Sequence, residues 1–192
     1  MEFDMNGLAA RQLRDRDAGR PGTLFAEQIT LSEKQAYAIA SEVSRLREAR
    51  GDSVVGYKVG CTSAGIQQQL GIDHPVFGHL FESECWPSGV TLPSEQFPGL
   101  AIEGELAVRM ANNVSAAGIS GAKLCDAIES VFPVIELHHF IFRGNRPSAQ
   151  ELIANNAIHA GFVHATDPSA TLDFEPATLQ IEIDGVLVAT VS

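Results

Sequence analysis

Positive charge is scarce in this chain. Its 192 residues hold 13 Lys and Arg against 24 Asp and Glu, a net charge of −11. A nucleic-acid binder needs Lys and Arg clustered against the phosphate backbone, so no nucleic-acid partner is expected. Nor can bulk charge steer an acidic ligand inward; an anionic substrate has to be held by a local cation. Cysteine is sparse as well. Cys61, Cys85 and Cys125 are odd in number and widely spaced, with no Cys-x-x-Cys pair. That argues against a disulfide framework or a structural zinc site and fits a reducing cytoplasm. No apolar run approaches the ~20 residues of a membrane span, so no membrane partner is expected. The start, Met1-Glu2-Phe3-Asp4-Met5-Asn6, lacks the basic region and apolar stretch of a signal peptide. There is no Gly-x-Ser-x-Gly elbow, no phosphate loop, and no cysteine beside the histidine pattern of a nucleophile. No repeat, low-complexity tract or linker divides the chain, and residues 1–192 read as one catalytic-type domain.

What the chain does have is three glutamates in apolar settings. Glu103 and Glu105 lie in Leu100-Ala101-Ile102-Glu103-Gly104-Glu105-Leu106-Ala107-Val108, and Glu136 lies in Phe132-Pro133-Val134-Ile135-Glu136-Leu137. Both runs read as short strands. Side chains two apart on a strand share a face, so Glu103 and Glu105 project together. Two adjacent carboxylates in an apolar segment repel one another and resist desolvation unless a positive charge sits between them. A divalent cation would serve, and a third carboxylate from another strand would complete one face of an oxygen-rich site. The competing reading is a solvated face of a half-exposed sheet, the more frequent setting for Glu-x-Glu.

Residues 1–50 read as an N-terminal helical segment and 51–192 as a sheet-rich body. A short helix over 7–16 ends at Gly19-Arg20-Pro21-Gly22. Ser32 and Gln35 form a capping-box pattern, and Ala36, Ile39, Val43 and Leu46 follow at helical spacing to Gly51. Val54 to Gly60 reads as a strand; Ser63 caps a helix through Leu70, closed by Gly71. Residues 72–99 form a long connection or a set of short strands. Leu124, Ile128 and Val131 predict a helix over 123–131, stopped before Pro133 and packed outside the sheet. Ser148 and Glu151 start a helix to about Ala154, and Gly161–Ala165 is a short strand. The segments 178–183 and 186–191 flank Asp184-Gly185, a strong hairpin signal. The chain then ends on an apolar strand, which reads as shortened or dependent on a partner.

Lys58, in Gly56-Tyr57-Lys58-Val59-Gly60, shares its face with two glycines, leaving room for a ligand around its stem. The competing reading is an edge-strand lysine that blunts aggregation, the more frequent case. His138 shares the face of Glu136 and could be a ligand or support one. Histidines at a strand end more often meet solvent, and the same ambiguity holds for His139 and His159. Asn155 and Asn156 fit turn chemistry or hydrogen bonds to a ligand carboxylate.

Five ordered segments carry a resemblance: Gly56 to Ser63, Gln67 to Gly71, Phe77 to Phe81, Ile102 to Ala107 and Pro133 to Glu136. Together they resemble the 2-keto-4-pentenoate hydratases of the fumarylacetoacetate hydrolase superfamily, from about residue 5 to the C-terminus. The resemblance implies an α+β fold, a mixed β-roll with an N-terminal helical segment, incomplete at its C-terminus because family members continue further. It implies Mg²⁺ or Mn²⁺ held by Glu103, Glu105 and Glu136, Lys58 as the catalytic group, and substrate against Phe77, Gly78, Leu106 and Asn156. The implied reaction is hydration of a small 2-hydroxy-2,4-dienoic acid to a 4-hydroxy-2-oxo acid in aromatic-compound degradation. Decarboxylation of a 2-oxo-3-enedioate and hydrolysis of an acylpyruvate use the same enolate chemistry. The implied assembly is a cytoplasmic homo-oligomer, or a complex with a related decarboxylase; a non-catalytic subunit pairing with a full-length relative is the alternative outside enzymes. The chain departs from the family in having Val76 where an acidic residue is common. It also has Asn155-Asn156-Ala157-Ile158 in place of Asp-Asn-Ala-Ser, so polar groups expected near substrate are missing.

Overall fold

The computed structural model describes residues 3–27, 29–114, 121–144, 146–165 and 178–191. Helix α1 (Met5–Asp17) begins where Asp4 accepts a hydrogen bond from the Gly7 backbone N–H. Helix α2 (Glu33–Glu48) starts on the capping box read from the sequence: Ser32 accepts from Gln35 N–H while Gln35 accepts from Ser32 N–H. Two of the four orphan donors at that end are thereby satisfied. Ala36, Ile39 and Val43 recur at helical spacing and bury in one cluster with Ala9 and Leu13 of α1.

Strand β1 (Val54–Gly60) and strand β2 (Val76–Phe81) form an antiparallel pair in which Lys58 faces Gly78 and Tyr57 faces His79. Between them helix α3 (Ala64–Leu70) is capped by Ser63 and ends at Gly71, whose φ of 69° is the left-handed C-cap conformation. The residues 72–99 hold β2, the short strand β3 (Cys85–Pro87) and isolated helical turns. Strand β4 (Leu100–Met110), helix α4 (Gly121–Asp126), strand β5 (Ile128–His139), helix α5 (Ala149–Ala154) and strand β6 (His159–His164) follow. The four strands order as β3-β6-β5-β4 in one sheet. Strands β7 (Leu179–Ile183) and β8 (Val186–Val191) make the hairpin expected at Asp184-Gly185. Both turn residues have positive φ, 52° and 75°, as a type I′ turn requires.

The helix expected over 123–131 is corrected. Helix α4 stops at Asp126, and Ile128 and Val131 belong to β5, which runs through Pro133. Spacing of i, i+4, i+7 at Leu124, Ile128 and Val131 satisfied a helix. From Ser130 onward, however, burial follows a period of two: Ser130, Phe132, Val134 and Glu136 are buried, while Pro133 and Ile135 are exposed. β-Branched Ile128, Val131, Val134 and Ile135 add the strand preference of a half-buried pleated surface. Pro133 therefore sits on the open face of a strand and terminates nothing.

The chain divides into two compact units: residues 1–85, 91–101 and 137–161 in the first, 86–90, 102–136 and 162–192 in the second. The core of the first joins α1 and α2 to Val76 of β2 and to Leu152, Ile153 and Ala154 of α5. Here Glu84 clamps the two helices, one carboxylate oxygen accepting from Arg16 at 2.6 Å and from Arg47 at 2.8 Å. The Arg47 guanidinium also lies 3.5 Å above the Phe81 ring centre. In the second unit β7 lies so close to β4 that a Cβ on Gly104 would meet Ile181 at 2.9 Å. The glycine between Glu103 and Glu105 is what admits that approach. Among the described residues, no helix is long and apolar enough to cross a membrane.

Candidate metal centre and the lysine site

Strands β4 and β5 are neighbours in the sheet, and strand spacing alone brings cross-strand side chains within ~5 Å. Among the described residues one group of metal-ligating side chains converges: Glu103 of β4 with Glu136 and His138 of β5. Each offers one ligand atom, and these atoms lie within 4.8 Å of one another. Glu136 and His138 are 2% and 3% exposed, while Glu103 is exposed. The boundary between the two units falls after Glu136, yet β5 is unbroken there, so the Glu136–His138 relation is set by strand register. A buried carboxylate beside an imidazole and a second carboxylate is a donor set suited to a divalent cation. Glu105, two residues from Glu103 on β4, is half-buried and lies outside that group.

His138 is the member that the residue pattern underweighted. It is buried, as are His139 and His159, where strand-end histidines were expected to meet solvent. Alternation placed His138 on the face of Glu136, but from Glu136 to His139 both faces of β5 are buried, which alternation does not announce. His139 stays neutral, its imidazole pushed down to about 2 by burial first, then by the Arg16 guanidinium, His159, His138 and Arg47.

Lys58 belongs to the first unit and is buried, 8% exposed, so it is not the solvent-facing charge that blunts a strand edge. Its face is the one predicted. Along β1, Gly56, Lys58 and Gly60 turn inward, and Val55, Tyr57 and Val59 turn outward, Tyr57 being 66% exposed. A Cβ on Gly60 would stand 3.3 Å from the Lys58 ammonium, which donates to the Ala157 carbonyl at 3.4 Å. That carbonyl belongs to the turn that Asn155 and Asn156 suggested, but its left-handed run through Ala157 and Ile158 was not announced by the residues. Asn156, Ala157 and Ile158 all have positive φ, 55°, 49° and 59°. For Ala and β-branched Ile this left-handed conformation costs ~1–2 kcal/mol per residue, so surrounding contacts must hold it in place.

Asn156 supplies two such contacts. Its side-chain oxygen accepts from the His79 N–H at 2.7 Å, and its amide donates to the His79 carbonyl at 2.8 Å. The turn is thus sewn to the free edge of β2 opposite β1. Gly78 permits the approach, since a Cβ there would lie 2.7 Å from the Asn156 carbonyl oxygen. Burial lowers the His79 imidazole below its ordinary range, partly opposed by its hydrogen bond with Asn156. Phe77 is 42% exposed and its ring stacks on Tyr37 with centroids 4.5 Å apart. Leu106 lies exposed on β4, and Val76, where the family commonly carries an acid, is a core residue.

No protein-family model matches the chain. It is 30% identical over 171 residues to a 2-hydroxypent-2,4-dienoate hydratase of Pseudomonas putida, covering 87% of this chain and 77% of that protein. It is also 30% identical over 174 residues to a 2-keto-4-pentenoate hydratase of Burkholderia vietnamiensis, covering 91% of this chain and 62% of that one. Among solved structures it resembles 4-oxalocrotonate decarboxylase from Pseudomonas putida G7, complexed with magnesium and adipate. There the TM-score is 0.77 at 24% identity, covering 83% of this chain and 61% of that chain. That likeness shows the shared α+β fold. On the sequence relation over most of its length, the chain belongs to the 2-keto-4-pentenoate (2-hydroxydienoate) hydratase family.

Proposed function

We propose that this chain is a divalent-metal-dependent hydratase acting on a 2-hydroxy-2,4-dienoate and yielding a 4-hydroxy-2-oxo acid, within aromatic-compound catabolism. The observation that carries the reading is the meeting of Glu103 and Glu136 from neighbouring strands. The names of the relatives support the same chemistry. Glu103, Glu105 and Glu136 would hold Mg²⁺ or Mn²⁺. When bound, the cation supplies positive charge where the substrate's carboxylate and 2-oxygen gather negative charge.

The chain's own residues then divide the remaining work. Lys58, buried and donating to the Ala157 carbonyl, would carry the proton delivered to the far carbon of the dienol. Water then adds to the conjugated ketone at its β-carbon. Leu106, Phe77, Gly78 and Asn156 would line the substrate, the apolar ones excluding bulk water. The chain would work in the cytoplasm as a homo-oligomer, alone or with a related decarboxylase.

The test is loss of the dienol absorbance of 2-hydroxypenta-2,4-dienoate with metal-free protein, before and after adding Mg²⁺ or Mn²⁺. Turnover appearing only with metal, with 4-hydroxy-2-oxopentanoate as product, is the expected result. Protein that binds either ion but leaves the dienol untouched sinks the hydratase reading. Release of CO₂ from a 2-oxo-3-enedioate by the same preparation would assign the site to decarboxylation instead.

A further inference from the structure

We propose that the first unit carries a second small-molecule site, which binds a small hydroxy acid through Arg16, Arg50, Glu84 and His139. None of these residues serves the reaction proposed above, and the inference does not depend on it.

A cavity of about 330 Å³ opens within the first unit. It is lined by Arg16 of α1, Arg47 of α2, Arg50 just beyond that helix, and by Glu84, Gln96 and His139. That volume lies at the lower end of the ~300–1,000 Å³ typical of ligand sites and leaves room for about ten non-hydrogen atoms. Arg16, Arg47 and Glu84 are largely buried, while Arg50 and Asp17 form a half-exposed rim.

The formal charges lining the cavity cancel, Arg16, Arg47 and Arg50 against Asp17, Asp52 and Glu84. The hydrogen bonds do not. Arg47 commits all its guanidinium nitrogens to Asp52, Ser83 and Glu84. In the hydrogen bonds of the described residues Arg16 uses only Nη2, toward Glu84 and the His159 carbonyl, and Arg50 only Nη1, toward Asp17. Their remaining N–H groups are donors for an acceptor-rich ligand. Glu84 accepts from both Arg16 and Arg47 on Oε1. Its Oε2 is buried with no hydrogen-bond partner among the described residues, and so is Nε2 of His139. A buried carboxylate oxygen without a donor is costly, and a ligand that brings one removes the cost.

These atoms define the ligand. Guanidinium N–H groups suit a carboxylate, and in a chain of net charge −11 they are the local cations that an anion needs. The group that meets Glu84 must donate a hydrogen without bringing positive charge, because an ammonium there would stand beside Arg16 and Arg47. A hydroxyl meets that demand. The neutral imidazole of His139 can donate to the same ligand or accept from it. With the cavity's own charges balanced, one negative charge is admitted more readily than the two of a phosphate ester.

The experiment uses the whole chain, freed of divalent ions so that a carboxylate meets no metal, and glycerate as the probe. Calorimetric titration should give a dissociation constant of about 1 mM or tighter. In ¹⁵N spectra of the same wild-type protein, the Nε–H signals of Arg16 and Arg50 should shift as glycerate saturates. That measurement needs no variant, so a folding defect cannot obscure it. Propionate, which lacks the hydroxyls, should bind about 10-fold more weakly. Arg50→Gln changes only the half-exposed rim and should weaken glycerate by about 10-fold or more. No glycerate binding at about 10 mM would leave the cavity to water and overturn the site. Binding that moves neither arginine signal overturns it as well, and propionate held as tightly as glycerate overturns the hydroxy-acid assignment.

Discussion

Replacing Asn156 by Ala should be among the more damaging single changes in the first unit, and the cost can be worked out from its contacts. The side chain makes two hydrogen bonds to the His79 backbone, 2.7 and 2.8 Å long, in a buried setting. Each such bond contributes ~1 kcal/mol net, so losing both costs about 2 kcal/mol. The backbone adds to this. At φ 55°, Asn tolerates the left-handed region through local hydrogen bonding, whereas Ala does not, at a cost of ~1 kcal/mol or more. The expected loss is about 3 kcal/mol, a large share of the ~5–15 kcal/mol that holds a domain folded. With a urea dependence of ~2 kcal/mol per molar, the unfolding midpoint should fall by about 1.5 M. Asn156→Gly separates the contributions. It restores the backbone freedom but not the hydrogen bonds, and should lose only about 2 kcal/mol. Amide exchange at His79 should accelerate in both variants, because its N–H loses its acceptor. An Asn156→Ala loss below about 0.5 kcal/mol, or a Gly variant no better than the Ala one, would refute the reasoning that the amide clamps a strained turn.

Three further outcomes are expected. Glu103→Gln should weaken divalent-ion binding about 10–100-fold or more by calorimetry, since it removes a charged oxygen donor from the converging group; unchanged affinity would remove Glu103 from the site. Lys58→Met keeps most of the stem's apolar bulk, so metal affinity should hold while turnover falls ~10²–10⁴-fold; wild-type-like turnover would end its assignment as proton carrier. Burial alone would raise the Asp15 carboxyl, but hydrogen bonds from the Thr23 hydroxyl and N–H and from Arg20 bring it below its usual value. Its stabilising contribution is thus complete above the unfolded value near ~4 and is lost as pH falls through the lower folded value. Asp15→Asn should therefore be less stable than wild type at pH 7 and converge with it in acid; a gap that persists at pH 2 would contradict this.

The features that the residues announced were those fixed by neighbours in sequence. Ser32 with Gln35, Ser63 with Gly71, and Asp184-Gly185 are local devices, and each sits where its pattern placed it. The inward face of Lys58 was also legible, because alternation with Gly56 and Gly60 decides it within one strand. What alternation could not say is which face of β1 is covered. An apolar set normally turns inward, yet Val55, Tyr57 and Val59 turn outward in this chain and the lysine face is buried. That choice depends on the 156–158 turn, distant in sequence, whose Ala157 carbonyl accepts from Lys58. The misread helix at 123–131 has a similar origin. Three apolar residues at helical spacing were too few to outweigh the alternation that runs from Ser130 to Glu136 and marks the strand. Alternation did place the His138 imidazole on the face of Glu136; what it did not announce is that this end of β5 is buried on both faces. What remained beyond the residue pattern was that β4 lies beside β5 and brings Glu103 to Glu136. Register between strands separated by a helix is set by packing, and no local residue signal encodes it.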